Sequence, residues 1–158
     1  MASNQAPKGS RRTDCDPLPV FCFKVELSPV ADPAFFKSVS GLKAEIETIP
    51  VREGGQNATT FQLVGATKWS NIVLKRGFTK DSGKSGMIAW MNSWIGQAGT
   101  RSTGVITLLD TALNPQAQWT FHNGFPIKWD MGEFDASKSE LAIETLEIAH
   151  EGISYEAK

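Results

Sequence analysis

The sequence predicts a mainly β domain of the α+β kind with one packed helix at about residues 85–98. Three observations lead there. Runs of alternating apolar and polar residues recur from Val20 onward, a single stretch repeats with helical period, and clusters of Gly, Pro, Asn and Asp separate the runs.

Residues 1–17 are polar and rich in Gly, Pro, Ser and charge, the composition of an arm that cannot bury enough surface to order itself. The single domain is therefore expected over residues 18–158. Phe21, Phe23, Val25 and Leu27 alternate with Cys22, Lys24 and Glu26, a strand with one apolar face. The stretch 28–33 ends it with two prolines. Residues 35–42 and 43–51 read as further extended segments. In the second, Ala44, Ile46 and Thr48 share a face while Glu45 and Glu47 take the other. Arg52-Glu53-Gly54-Gly55-Gln56-Asn57 is a polar loop or hairpin tip. Residues 61–64 and 69–78 supply more strand, the latter rich in β-branched and aromatic side chains.

The helix is carried by Met87, Trp90, Met91, Trp94, Ile95 and Ala98, spaced i, i+3, i+4, i+7, i+8 and i+11. Ser85 is placed to cap its start and Gly99 to end it in the left-handed conformation. A Met and Trp stripe of this kind reads as core packing against a sheet. Residues 105–109 form a strand, and Asn123-Gly124, between 118–122 and 125–129, carries the signature of a tight hairpin. The last segment, 140–153, fits a helix face through Leu141, Ala142, Thr145, Leu146 and Ala149, and a strand face through Leu141, Ile143 and Thr145.

Composition narrows the function. The chain has 158 residues with 41% hydrophobic content, enough for one core. Sixteen basic and seventeen acidic side chains leave a net charge of −1. That balance lacks the broad positive field of a nucleic-acid binder and offers no pull toward an anionic membrane. No window approaches the roughly 18 apolar residues of a membrane span. Lys8, Arg11 and Arg12 are followed by no apolar core of a signal peptide, so folding in the cytoplasm is expected. Cys15 and Cys22 are the only cysteines, and both are read as reduced thiols.

Several motifs imitate chemistry. The stretch from Gly77 to Gly83-Lys84-Ser85 follows a strand and precedes a helix, as a phosphate-binding loop does, and Asp110 ends an apolar strand like a magnesium-site aspartate. The phosphate loop requires four residues between its first glycine and the Gly-Lys pair, so that successive N–H groups converge, and here there are five. A nucleotide-binding parallel sheet also needs helical crossovers, and one helix is not enough. His122 and His150 lack any zinc-ligand spacing. No carboxylate pair is set apart by its surroundings, and Ser40-Gly41 lacks a nucleophile elbow. No enzyme, cofactor or metal site is expected.

The order of motifs is more informative. The opening Asp16-Pro17-Leu18-Pro19-Val20-Phe21-Cys22-Phe23-Lys24-Val25-Glu26 resembles the first strand of contractile-tail inner-tube proteins. Phe36-Lys37-Ser38-Val39-Ser40-Gly41-Leu42 is similar to their F-x-x-V-S-G-L segment, and Asn71-Ile72-Val73-Leu74-Lys75-Arg76-Gly77 to their N-I-x-L-K-R-G strand. The Trp90-Met91-Asn92-Ser93-Trp94 helix follows in place. Residues 119–129 and 144–152 complete the series, so the resemblance spans about 16–154 and favours strand for the last segment.

The resemblance implies a structural, non-enzymatic inner-tube subunit of a phage-tail-like particle, a virion component or an effector-delivering injection system. It implies a fold of barrel-like antiparallel sheets with a flanking helix. Such subunits form hexameric rings by self-assembly, with one continuous barrel around each ring, and the rings stack into a hollow conduit driven by a contractile sheath. Glu45, Glu47, Asn71 and Lys75 would then line the lumen. The loop bearing Arg52, Glu53, Gln56 and Asn57 would reach the adjacent ring. Sheath, baseplate or hub, and tube-terminating proteins would be partners, with cargo in the bore, no specific nucleic-acid binding and no membrane anchor. Two other readings remain open at this level: a nucleotide-binding domain using Gly83-Lys84-Ser85, and a monomeric β-rich binding module.

Overall fold

The computed structural model describes residues 22–52, 54–55, 60–78, 86–133, 137 and 141–157. The expected arm at 1–17 lies outside them, as do Cys15, Glu53, Gln56, Asn57 and the Gly83-Lys84-Ser85 stretch.

Among the described residues, ten strands and one helix follow in chain order: β1 (Cys22–Ser28), β2 (Ala31–Phe36), β3 (Ser38–Ser40), β4 (Ala44–Val51), β5 (Phe61–Trp69), β6 (Ile72–Gly77), α1 (Met87–Trp94), β7 (Ser102–Leu109), β8 (Pro115–Met131), β9 (Ile143–Ala149) and β10 (Gly152–Ala157). All pairings are antiparallel. The main sheet runs β2-β1-β7-β8-β9-β6-β3, with β10 also on β8. Its two ends, β2 and β3, are consecutive pieces of one extended segment, joined where the Lys37 N–H donates to the Lys75 carbonyl. The sheet therefore curls back on itself, and one chain closes its own barrel.

Period-two patterning places the core. Val25 and Leu27 on β1, Ile106 on β7, Phe121 on β8, Ile72 and Leu74 on β6, and Leu146 and Ile148 on β9 all point inward and are buried. Met87 and Trp90 of α1 cover the interior, and the Trp90 indole N–H donates to the Thr100 carbonyl at 2.8 Å. Phe121 lies against Gly104 and Gly124, where a Cβ would come within 2.1 and 2.5 Å of its ring.

Several expectations are corrected. The break after β1 is confined to Pro29-Val30, and Pro33 lies within β2, a sheet-end strand where its missing N–H is tolerated. The run 69–78 is divided at Ser70-Asn71, and β5 extends instead from Phe61 through Trp69. The helix is Met87–Trp94, shorter than 85–98: Ile95 is already extended and 67% exposed, so it does not belong to the core stripe. Gly86 precedes the helix at φ 76°, with no side-chain cap bond. Gly99 does not terminate the helix; it lies under the Trp94 indole, which a Cβ would meet at 2.5 Å.

Asn123-Gly124 is not a hairpin. The 17-residue β8 runs straight through it. Asn123 takes φ 53°, and Ser102↔Gly124 beside Gly104↔Phe121 marks a bulge. There Asn123 Nδ2 donates to Glu151 Oε2 at 2.7 Å, while Arg101 bonds both Glu151 Oε1 at 2.7 Å and the Asn123 carbonyl at 3.3 Å. The final segment is strand, split into β9 and β10. Its buried face is Glu144, Leu146 and Ile148 rather than Leu141, Ile143 and Thr145.

Candidate assembly surface

Outside the barrel stands a hairpin with no third strand among the described residues. β4 and β5 pair only with each other, from Ala44↔Trp69 at the base to Val51↔Phe61 near the tip, with a bulge at Gly65-Ala66 opposite Glu47. All eight β4 residues are exposed, and of β5 only Gly65 is half-buried. An isolated two-stranded ribbon is at best marginally stable in water. This one also leaves Ile46, Ile49, Val51, Phe61, Leu63, Val64 and Trp69 in solvent, Val64 at 81%. Contiguous exposed apolar surface of this kind marks an interaction site.

Cross-strand partners share a face. Glu45, Glu47 and Lys68 occupy the base of one face, and Ile49, Val51, Phe61 and Leu63 continue it toward the tip. Lys68 Nζ pairs with Glu47 Oε1 at 2.7 Å, and Lys43 pairs with Glu45. The hydrogen bond from the Lys43 ammonium, with its charge, holds the Glu45 carboxyl below its ordinary value. These charges are matched within the hairpin, so its outward chemistry is mainly apolar.

The base is held firmly. Gly41 has φ +85°, and a Cβ there would lie 1.8 Å from the Asn71 carbonyl oxygen. The Lys43 N–H donates to the Gly41 carbonyl at 2.8 Å and the Ser70 N–H to the Lys43 carbonyl at 3.1 Å. His150 Nε2 lies 2.9 Å from the Ser70 carbonyl, and its ring packs between Trp69 and Phe121. The V-S-G-L segment therefore serves a close crossing of two chain segments.

Of the expected lumen residues, Glu45 and Glu47 stand on the hairpin, while Asn71 and Lys75 stand on the outer, polar side of β6. Asn71 Nδ2 donates to Glu147 Oε1 at 2.9 Å, and that side continues through Thr145, Lys128 and Asp130 on β9 and β8. Arg52 is described and exposed at the hairpin's tip.

The sequence reading missed the barrel's buried ion pair. Arg76 Nε donates to Glu144 Oε2 at 2.6 Å, Trp129 Nε1 to Glu144 Oε1 at 2.8 Å, and Arg76 lies over the Phe36 ring. The signal was present: Arg76 shares parity with Ile72 and Leu74, and Glu144 with Leu146 and Ile148.

Gly86, the first described residue after the imitation nucleotide loop, lies far from Asp110. Gly86 packs against Val30 and Ala31, at one end of the β1–β7 ladder, whereas Asp110 follows Leu109, which pairs with Cys22 at the other end, roughly 20 Å away. Asp110 accepts from the Asn114 and Ala112 N–H groups at 2.9 and 2.8 Å, and from Gln116 Nε2 at 3.0 Å. The Asn114 bond first, then the others, holds its carboxyl below the usual range against the opposing effect of desolvation. Among the described residues no group of three or more His, Cys, Asp or Glu side chains is disposed to hold a metal. No helix there is long and apolar enough to cross a membrane.

The chain resembles several known proteins. A chain of the sheath–tube complex of an extracellular contractile injection system, PVC, in its extended state shares 27% identity at TM-score 0.80, over 94% of this chain and 100% of that one. A chain of the anti-feeding prophage cap, described as a tube-terminating cap, shares 25% at TM-score 0.79, over 98% and 100%. A type six secretion system protein shares the fold at 13% identity and TM-score 0.61, over 87% and 83%. No curated protein sequence matches the chain. Residues 19–154 match the model of the T4-like virus tail tube protein gp19 family. The chain belongs to that family and is a structural subunit of the inner tube of a contractile injection system.

Proposed function

We propose that this protein forms homohexameric rings that stack into a hollow conduit, and that the β4–β5 hairpin is the element by which copies join. The single observation that carries the reading is the hairpin itself: a ribbon whose two edges are unpaired among the described residues, with seven exposed large apolar side chains, on a barrel whose borders meet through β2 and β3. Unpaired edges are normally blunted or covered. In a ring, the edges of β4 and β5 find partners on neighbouring sheets, and a continuous barrel of many strands surrounds the bore.

Energetics favour repetition over a lone contact. Fully burying four of the hairpin's large side chains contributes about 6–12 kcal/mol. Association costs about 4–15 kcal/mol in lost freedom. One contact is therefore marginal, whereas ring closure and stacking supply several per subunit.

Glu45, Glu47, Asn71 and Lys75 then face the bore, a wet lining of both charge signs along which cargo slides without tight binding. Arg52, Glu53, Gln56 and Asn57 reach the adjacent ring. The partners are a contractile sheath, a baseplate or hub and a tube-terminating protein, as the sheath–tube and cap structures suggest by likeness. Assembly takes place in the cytoplasm, before the particle acts. The subunit supplies rigidity and a passage, with no catalytic turnover.

The test is sedimentation of the purified protein beside Leu63→Asp. Unmodified protein is expected to sediment as hexamers or larger, and the variant as a folded monomer of 17.2 kDa. Identical monomeric profiles for both overturn the reading.

A further inference from the structure

One titratable side chain ties the hairpin's base to the barrel. His150, between β9 and β10, places Nε2 2.9 Å from the Ser70 carbonyl, where β5 passes into β6. A carbonyl oxygen carries no proton, so Nε2 donates, and the neutral imidazole then holds a lone pair at Nδ1. Nδ1 is buried and has no hydrogen-bond partner among the described residues. The ring lies against Trp69, the last residue of the hairpin, and Phe121 of the core, with centroids 6.0 and 6.2 Å away. Ser70 in turn donates its N–H to the Lys43 carbonyl at 3.1 Å, across the mouth of the hairpin.

The charged groups on the surrounding elements are Glu147, Glu151, Arg101, His122, Lys43 and Lys68. Glu147 accepts from Asn71, and Glu151 from Arg101 and Asn123. Lys43 and Lys68 are paired with Glu45 and Glu47, and His122 stands exposed on β8. The nearby carboxylates are thus committed to other donors.

We propose that His150 is a positioning residue for the hairpin and that its protonation releases the base. Protonation adds an N–H at Nδ1. The closed joint offers it no acceptor among the described residues, whereas an opened one offers water, so acid favours opening. The flanking rings attract the charge to some degree, but they are tilted by 59° and 50° and supply no acceptor at Nδ1. A two-stranded ribbon has little stability of its own, so a loosened base is felt along β4 and β5. The latch belongs to the single chain; its consequence, rings that form at neutral pH and come apart in acid, rests on the tube reading above.

The experiment follows backbone amide protection factors in the full chain carrying Leu63→Asp, so that assembly lends the hairpin no protection. Between about pH 8 and about pH 5, the range in which histidines titrate, protection at Lys43, Ser70 and along β4–β5 is expected to fall about tenfold or more, while β7 holds. His122 and His150 are the only histidines, and the Glu45 carboxyl, held low by Lys43, stays ionised there. Adding His150→Gln, which keeps a donor for the Ser70 carbonyl without a titrating ring, should flatten the profile. Adding His122→Gln should leave it unchanged, with the loss tracking the titration of the remaining imidazole's ring protons. Protection that does not change with pH, a loss that persists in His150→Gln, or one that vanishes in His122→Gln overturns the latch. Unmodified protein that forms tubes whose hairpin protection is the same at both pH values overturns the latch alone. Protein that forms no rings at any pH yet shows the acid loss overturns the tube reading and leaves the latch standing.

Discussion

Gly41 and Glu144 are the residues at which the least change should do the most damage. At Gly41 a Cβ needs a left-handed backbone and the space held by the Asn71 carbonyl. Gly41→Ala is expected to destabilise by roughly 2–4 kcal/mol, measured by urea unfolding. Glu144→Ala leaves Arg76 without its buried carboxylate, and removing one partner of such a pair costs about 3–5 kcal/mol. Asp110 gives a pH signature. Its carboxyl is held low by the Asn114 and Ala112 N–H groups, so its contribution is present above the unfolded-state value and is lost as pH falls through the lower folded one. The stability gap between the unmodified protein and Asp110→Ala, followed by thermal melts from neutral pH to about pH 3, should therefore narrow on the acid side. A gap that widens there contradicts the turn-stapling role. Glu144 and Arg76 were legible in principle, by strand parity, yet charge overrode parity in the reading. The Gly41 crossing was not legible, because its partner Asn71 is distant in sequence.

Among elements, strand existence was legible almost everywhere and strand boundaries were not. Alternation persists through Ser70-Asn71, so a break made by chain crossing leaves no mark on the pattern between 69 and 78. Asn123-Gly124 shows the opposite failure. The pair reports tolerance of positive φ, and β8 uses that tolerance for a bulge, locked by Arg101 and Glu151, instead of a reversal. Asn123→Val should cost roughly 1–3 kcal/mol in unfolding free energy, because a β-branched residue resists φ 53° and the Glu151 bond is lost. Asn123→Gly, which keeps the backbone, should cost less. The helix was legible in its Met87, Trp90 and Trp94 stripe. Its early end was not, since Ile95 is set free by a turn and its hydrophobicity carries no such information. In the hairpin, the alternation of Glu45 and Glu47 with Ala44, Ile46 and Thr48 was legible, but the absence of a third strand emerges only from topology.

The whole molecule divides into a barrel whose borders largely meet and a ribbon whose edges do not. The barrel's borders meet through β2 and β3, so the edges left for neighbours are narrower than open sheets would offer: chiefly β4–β5, with β10 and the second half of β8, which carries Pro126. A tube built on marginal single contacts should assemble cooperatively, with a concentration threshold that light scattering detects. Purely gradual growth contradicts ring closure. The most direct measurement of the central claim is electron microscopy of the concentrated protein, alone and with its sheath. Six-fold end views with an open bore, and β4–β5 buried between copies, are expected. Separate globular protomers at every concentration, with that ribbon still in solvent, would contradict it.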